Sequence, residues 1–433
     1  MANKRQQLGG VFYLLPIDRG SYSVATSHYN VTMSVTIPYG RRMLELEIDE
    51  RNLVEIERAP IAPNLADPVG GMRDALEHPF DFPALRRALT PDDHVAIVID
   101  EGIPNLAALL VPLLEHIGQA QVTPNAITLV CSPPSSGQPW LEELPEEFED
   151  VRVEVHQPGD RQQLAYLATT SDGRRVYLNR TIVDADQLVV MTRRGYDLWT
   201  GYAGAELAIY PRLTDEPTLQ ELETPLASHA LGRAPWPIQK DAREIAWLMG
   251  GAQFFVQIID GADGSIAHIL AGPLDSSNEG QRLLDARWRV TCAQPADVVI
   301  ASVTGDPGRH VLDDLARAFF AAASVVKPGG SIVVLSEITP VLSPGFERFR
   351  RFDEPALALS VLISEKSNDG AAFMWATAAE QAKLYLLSQL ATDVAEELFA
   401  IPMGSAEQTR RLLGPKTSVT LLPDAHRTLA VLA

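Results

Sequence analysis

The chain has 433 residues, 46% of them hydrophobic and 21% charged, and a formal net charge of −20. This length favours two domains, and the composition is typical of a globular protein that buries a full core. The acidic balance argues against binding to nucleic acid or to an anionic membrane, because both need a basic surface, and no apolar run approaches the roughly 20 residues of a membrane span.

The two cysteines, Cys131 and Cys292, have no spacing typical of a disulfide framework or a metal site. Both lie in or beside apolar runs, which favours buried, reduced thiols and hence a cytoplasmic protein. Residues 1–30 contain a short basic patch and a brief apolar run but no clear small-residue cleavage site. We interpret them as an N-terminal extension rather than a signal peptide.

The first part of the chain alternates between strand and helix patterns. A hairpin is predicted over 30–47 and a short helix over 68–79. Further strands are expected at 94–100, 126–131, 151–156 and 187–192, with a helix at 104–117 and a hairpin over 164–180. This alternation indicates a parallel sheet, whose ligand edge lies at the carboxyl ends of its strands.

The segment 189–213 carries the strongest functional signal. A buried strand runs through a polar, aromatic turn into an expected helix whose start is rich in small residues: Gly201, Ala203, Gly204 and Ala205. Free N–H groups and the helix dipole make such a start a common ligand site in α/β proteins. A structural interpretation fits equally well, with the glycines only allowing close packing.

The second part repeats the α/β pattern. Helices are expected at 214–228, 241–249, 311–326 and 371–390, and strands at 253–260, 265–271, 296–303, 331–336, 418–422 and 428–432. Gly, Pro, Asp, Ser and Asn cluster at 272–281, which we interpret as a linker. The expected organisation is an N-terminal extension (1–30), an N-terminal α/β domain (31–272) and a C-terminal α/β domain (273–433).

The stretch 201–212 resembles the G-F-S-G-G-x-K-x-I-x-P-G signature of the LarA-type lactate racemases. The hairpin LAYLATTSDGRRVYLNRTIVDADQLVV and the loop Asp100–Pro104, similar to the family's D-x-T-R-P, extend the resemblance, which runs from about Val31 to about Ser336. It implies a two-domain LarA-like α/β fold of mostly parallel sheets flanked by helices, with an interdomain cleft.

The resemblance also implies where the family's chemistry would lie. Its members tether a nickel-pincer nucleotide to the signature lysine and use two histidines as acid and base. The six positions that match the family's chemical groups are Ile103 (substrate-binding Arg), Ser135 and Asp197 (the two His), Leu207 (tethering Lys), Glu223 (nickel-ligating His) and Gly308 (second-domain Lys). An alkyl side chain cannot form the thioamide that holds the nucleotide, so we expect no cofactor and no nickel.

The candidate pocket contains residues near these positions: Asp100, Ser135, His156, Arg193, Arg194, Asp197, Trp199, Tyr202, Glu206 and Arg309. His156 is matched in the family and is expected to be structural. Arg193 and Arg194 fit either an anion site or a solvated surface, and the aromatic residues fit either a pocket or a domain interface.

Three functional hypotheses follow. The leading one is a lactate-racemase-like protein that has lost racemisation and keeps its cleft as a binding protein or pseudoenzyme, for a small organic anion held by Arg193, Arg194 or Arg309. The alternative is an active hydroxy-acid racemase or epimerase that uses Asp100, Asp197, Glu206 and Glu223 around Mg²⁺ or Mn²⁺. The third is a subunit whose active partner supplies the chemistry; the oligomeric state is left open.

Overall fold

The computed structural model describes residues 32–132, 137–222, 237–250, 252–364 and 369–433. The expected extension 1–30 and two of the predicted site residues, Ser135 and Glu223, lie outside the described residues. Within them, the chain builds two mostly parallel β-sheets flanked by helices, as the sequence pattern predicted.

The strands span Thr32–Tyr39 (β1), Arg42–Asp49 (β2), Ile56–Glu57 (β3), Val95–Ile99 (β4), Ile127–Cys131 (β5), Arg152–Val155 (β6), Leu164–Thr169 (β7), Arg175–Asn179 (β8), Gln187–Asp197 (β9), Gly201–Ala203 (β10), Ala252–Asp260 (β11), Ile266–Gly272 (β12), Arg289–Cys292 (β13), Ala296–Ser302 (β14), Val326–Leu335 (β15), Lys383–Leu387 (β16), Ala400–Pro402 (β17), Val419–Leu422 (β18) and Leu429–Leu432 (β19). The helices span Pro68–Glu77 (α1), Leu106–Gly118 (α2), Arg180–Asp184 (α3), Glu206–Ile209 (α4), Glu216–Leu222 (α5), Pro237–Met249 (α6), Ser276–Trp288 (α7), Leu312–Ala323 (α8), Pro344–Phe349 (α9), Pro355–Ser364 (α10), Gly370–Gln381 (α11) and Thr392–Glu397 (α12).

The first sheet has the strand order β12-β11-β9-β4-β5-β6, parallel from β11 to β6, with β12 antiparallel at one edge. Its centre is β4, in which every side chain is buried. Val95, Ile97 and Ile99 enter the core beside α2, while Ala96 and Val98 enter the core beside α4 and α6. A run of small and branched apolar residues suits this position because both faces are covered.

The second sheet is entirely parallel, in the order β17-β16-β15-β14-β18. One face packs against α8, α9, α10 and α11, with the fully buried Trp375 between Phe319 and Phe346. The other face is covered by the hairpin β1–β2, whose Ile37, Leu44, Leu46 and Ile48 contact Val298, Ile300 and Val333.

The first hairpin therefore belongs with the second sheet, and β3 also pairs with β13 beside it. This differs from the expected N-terminal domain of 31–272, because residues 32–57 share their packing with the later part of the chain. A hairpin near the N-terminus carries no sequence signal of the sheet that it will cover. The boundary expected near 272 remains a prediction.

Three predicted elements were wrong. The helix expected from Gly201 is replaced by β10, since Gly201 and Gly204 adopt positive φ values of 75° and 80° and the helix α4 covers only Glu206–Ile209. The helix expected over 371–390 ends at Gln381, and the next segment forms β16. The linker expected over 272–281 is helical from Ser276, whose hydroxyl accepts a hydrogen bond from Gln257 in β11 at 3.0 Å.

None of the helices in the described ranges is long and apolar enough to cross a bilayer.

Leu46 offers a test of the hairpin's packing, because it is 1% exposed against the second sheet. Leu46→Ala is expected to lower the free energy of unfolding by about 2–4 kcal/mol through the cavity it leaves. Hydrogen exchange should accelerate in β14 and β15 while β4 and β9 keep their protection. Met43→Ala is the control, because Met43 is 55% exposed. Loss of protection in β4 and β9 would contradict this placement of the hairpin.

Candidate functional site

The candidate site lies where the carboxyl ends of strands from the two sheets meet. In the first sheet, Asp100 follows β4, Arg193 and Arg194 lie where β9 runs past β4, and Asp260 ends β11. In the second sheet, Thr304 follows β14 and Asp424 follows β18. The polar residues gather here because the strands of a parallel sheet all end at the same edge.

Asp100 and Arg193 form a bidentate ion pair at the centre of this edge. The Asp100 carboxylate accepts hydrogen bonds from Arg193 Nε at 2.8 Å and Nη2 at 3.2 Å, and from the backbone N–H of Gly102 at 2.9 Å. Burial raises the pKa of Asp100, but Arg193 and these hydrogen bonds outweigh it and hold the pKa below its ordinary value. A Cβ on Gly102 would lie 2.0 Å from Arg193 Nη2, so a larger residue here would displace the guanidinium from this position.

A chain of charges extends from this pair to the second sheet. Arg193 Nη1 lies 4.0 Å from Asp260 Oδ2, and Arg427 Nε lies 3.8 Å from the same oxygen. Arg427 Nη1 lies 3.7 Å from Asp424 Oδ1, and Asp424 accepts a hydrogen bond from the Thr304 hydroxyl. Burial raises the pKa of Asp260, against the opposing effect of both arginines. The charges therefore join the two sheets.

Two histidines and a carboxylate lie on the second-sheet side of this chain. His310, just before α8, contacts Asp314 through Nδ1 at 3.2 Å and donates from Nε2 to the Thr304 carbonyl at 2.8 Å. His426, in the turn between β18 and β19, lies with its ring 5.1 Å from that of His310. Burial lowers the pKa of His426 well below its ordinary value, with the charge of Arg427 acting in the same direction.

Arg194 and Glu206 are buried beneath the signature loop rather than open to a ligand. Arg194 is 4% exposed and donates from Nη1 to the Gly204 carbonyl at 2.9 Å. Burial lowers the pKa of Arg194, and the nearby Glu206 opposes this effect. Glu206 in turn accepts a hydrogen bond from the Ser277 hydroxyl of α7. Both side chains therefore hold the loop to its neighbours.

Asp197 is held by a tight turn of its own. Its Oδ1 accepts hydrogen bonds from the backbone N–H of Trp199 at 3.0 Å and from Thr200 at 2.9 Å, and its Oδ2 lies 3.3 Å from Arg212 Nη2. This turn directs Trp199 toward the second part of the chain, where its ring packs over Gly370. Asp197 is thus an anchor for the loop.

Tyr202 is engaged with α7. Its hydroxyl donates to Asp285 Oδ2 at 3.0 Å, and Tyr196 donates to Asp285 Oδ1 at 2.9 Å. Burial raises the pKa of Tyr202, and the charge of Asp285 adds to the rise. Of the two interpretations of these aromatic residues, the structure therefore favours interface packing.

His156 is 1% exposed, and its ring nitrogens contact groups of the surrounding fold. Its Nε2 donates to the Thr214 carbonyl at 2.8 Å, and its Nδ1 lies 3.4 Å from the Asn179 amide nitrogen. Burial lowers the pKa of His156. Arg309, by contrast, is exposed, and its guanidinium lies beside Gly264 in the β11–β12 turn.

The residues at the family's catalytic and cofactor-binding positions lie in environments that differ from one another. Ile103 is 3% exposed in the core beside α2, and Leu207 is 5% exposed in the core beneath α4. Gly308 lies exposed on a short 3-10 turn, and Asp197 anchors its loop as above. Ser135 and Glu223 fall outside the described ranges.

These residues do not fit a tethered nickel-pincer nucleotide. The position of the tether is a leucine whose side chain packs with other apolar residues, including Val98, Val190 and Ile209. Leu207 has no amine with which to form the tether, and its side chain packs in the apolar core rather than at the charged interface. No chemical step through that group follows from these residues.

Among the described residues, the carboxylates of the alternative hypothesis do not come together as an Mg²⁺ or Mn²⁺ site. Asp100 is paired with Arg193, Asp197 with Arg212, and Glu206 is bonded to Ser277 beside the buried Arg194. Each carboxylate is separately neutralised or anchored. An open cleft between the sheets stays a prediction, because the side chains described here meet in a packed, charged interface.

Sequence reasoning missed several charged residues of this interface. Asp260 could have been found, because it ends an apolar strand just as Asp100 follows one. The spacing of His310 and Asp314, four residues apart at a helix start, was a weak signal. His426 and Arg427 could not have been found, because only the fold brings the last turn of the chain beside α8.

Comparisons with known proteins agree with this fold. The family described as "Lactate racemase N-terminal domain" matches residues 39–228. A lactate racemase from Thermoanaerobacterium thermosaccharolyticum is 21% identical over 365 residues, which cover 79% of this chain and 84% of that protein.

Two solved structures share the fold. The lactate racemase apoprotein from Thermoanaerobacterium thermosaccharolyticum superposes with a TM-score of 0.77 at 17% identity, covering 92% of this chain and all of the other. A Thermotoga maritima protein from a structural genomics consortium superposes with a TM-score of 0.63 at 11% identity, covering 84% of this chain and 98% of the other. Residues 39–228 thus match the lactate racemase N-terminal domain, and the chain as a whole has the fold of the lactate racemase apoprotein.

Proposed function

We propose that this LarA-like protein has lost nickel-pincer-dependent racemisation and acts as a binding protein or pseudoenzyme for a small organic anion. The observation that carries the loss is Leu207, which stands at the position of the tethering lysine and is buried in an apolar core. Racemisation also needs an acid and a base on opposite sides of the substrate carbon. Asp197, at one of these two positions, already accepts hydrogen bonds from its own turn and pairs with Arg212.

The organic anion would bind through Arg309 rather than through the other two predicted arginines. Arg193 is paired with Asp100, and Arg194 is bonded to a backbone carbonyl. Arg309 is exposed at the edge of the interface. Guanidinium groups with free donors are the usual partners of a carboxylate.

We also propose that the protein is cytoplasmic. Cys131 and Cys292 are both buried and unpaired. Burial, with the charge of Glu101 adding to it, raises the pKa of Cys131 to about 12, and burial raises the pKa of Cys292 to about 11. Such thiols are inert structural groups, as expected in a reducing compartment.

The loss of racemisation predicts an inactive, nickel-free protein. Protein purified from a host that makes the nickel-pincer nucleotide should contain far less than one nickel per chain and no cofactor absorbance, and it should not interconvert D- and L-lactate. Metal analysis, visible spectroscopy and a chiral lactate assay check this, with a lactate racemase expressed alongside as the positive control. Stoichiometric nickel together with turnover would reject the proposal.

Replacing Leu207 by lysine tests the environment of the tether position. Leu207→Lys should lower the free energy of unfolding by about 3–5 kcal/mol, because it buries an ammonium group without a partner. Leu207→Met keeps the volume and should cost less than about 1.5 kcal/mol. Denaturant titration of both variants gives the comparison. If the lysine variant were as stable as the methionine variant, the side chain would have access to the interface and the account of this position would be wrong.

Anion binding predicts a specific effect of Arg309. Titration calorimetry with lactate, pyruvate and oxalate should detect at least one ligand, and Arg309→Ala should weaken it about tenfold or more, because a charge-assisted hydrogen bond contributes about 1.5–3 kcal/mol. Arg175→Ala is the matched control, an exposed arginine on β8. Equal losses in both variants, or no binding of any of the three, would contradict the proposal.

A further inference from the structure

We propose that His310, Asp314 and His426 form a binding site for a first-row divalent transition-metal ion, with Zn²⁺ as the best match. One imidazole nitrogen from each histidine and one Asp314 carboxylate oxygen lie within 4.8 Å of one another. The site uses none of the family's chemical positions, and it does not depend on the proposed function.

The hydrogen bonds of His310 prepare its Nδ1 as a metal ligand. Nε2 lies 2.8 Å from the Thr304 carbonyl oxygen, which can only accept, so Nε2 carries the proton. With the proton on Nε2, the Nδ1 lone pair faces an Asp314 oxygen at 3.2 Å, which is also an acceptor. A cation bound to Nδ1 and to the Asp314 oxygen would give both acceptors a partner. A backbone carbonyl on the far nitrogen is the usual arrangement around a metal-bound histidine.

His426 supplies the second, independent observation. It is 8% exposed, and neither of its ring nitrogens has a hydrogen-bond partner among the described residues. Leaving a buried polar group without a partner is costly, so such a group calls for an explanation. The ring is held in place by its turn, where the backbone N–H of Ala425 donates to the Ser302 carbonyl at 2.9 Å. It meets His310 edge-on at 5.1 Å.

The dimensions suit a tetrahedral ion. Two ligand atoms each about 2.1 Å from Zn²⁺ lie about 3.4 Å apart, close to the 3.2 Å between His310 Nδ1 and Asp314 Oδ2. The widest separation in the cluster is within 4.8 Å, so closure needs a movement of about 1.4 Å at most.

Charges of both signs surround the cluster. The carboxylates of Asp314, Asp260 and Asp424 lie in this part of the interface with the guanidinium groups of Arg193, Arg317 and Arg427. Each arginine has partners of its own. Arg317 Nη1 donates to the Tyr196 carbonyl at 2.9 Å, and Arg427 faces Asp260 and Asp424.

The ligand atoms of the site determine which metal ions it favours. Imidazole favours zinc, copper, iron and nickel over magnesium and calcium, which prefer oxygen ligands. Three protein ligands leave a fourth tetrahedral position for water or for a carboxylate of a small molecule. The site therefore supplies a Lewis-acidic ion at the junction of the two sheets.

Metal titration of the full-length chain tests the proposal. After dialysis against EDTA, the protein is titrated with ZnCl₂ by calorimetry and with CoCl₂ by visible spectroscopy, and MgCl₂ serves as the negative ion. We expect one Zn²⁺ per chain, the d–d bands of four-coordinate Co²⁺, a raised Tm with Zn²⁺, and no heat with MgCl₂.

Two variants and a control locate the ion. His426→Gln and Asp314→Asn should each weaken Zn²⁺ binding at least about tenfold, and His268→Gln, a half-buried histidine on β12, should leave it unchanged. Circular dichroism and the metal-free Tm show that each variant is folded, and two variants guard against the failure of one. No Zn²⁺ binding by the wild type, or binding that both folded variants retain, would overturn the site.

Discussion

The ion pair between Arg193 and Asp100 is the interaction around which the junction of the two sheets is built. It neutralises two charges where β4 and β9 lie side by side, and its guanidinium lies against Gly102. Through Asp260 it reaches Arg427 on the other sheet. Breaking this bidentate pair would leave either partner as a partly buried charge without its counter-ion. Arg193, one of the three arginines predicted for an anion site, thus already has a carboxylate partner in the protein.

On the proposed loss of racemisation, this chain keeps the fold of the family without its chemistry. The hairpin β7–β8 keeps the apolar and turn residues of the resemblance. Leu207, at the position of the tethering lysine, is a core residue, and Asp197, at the position of one histidine, is hydrogen-bonded within its own turn. Packing and chemistry place different demands on a sequence, so one can persist after the other has changed.

The sequence predicted the parallel sheets well because buried branched residues between helical patterns have few alternative folds. It predicted the signature segment poorly, since the positive φ angles of Gly201 and Gly204 that rule out a helix there depend on contacts with β9. Local patterns also gave no sign that the first hairpin covers the second sheet. His310 and His426 come together only through that sheet's topology, so no spacing in the sequence could have paired them.

If Leu207 leaves this chain without a covalently bound nucleotide, its intact mass equals that of the bare polypeptide. The protein should be expressed together with the enzymes that make the nickel-pincer nucleotide and analysed under non-reducing conditions that preserve thioamides. We predict a single species at the mass of the unmodified polypeptide, 47.2 kDa. A second species heavier by the mass of the nucleotide, mapped to any lysine of the chain, would contradict the account.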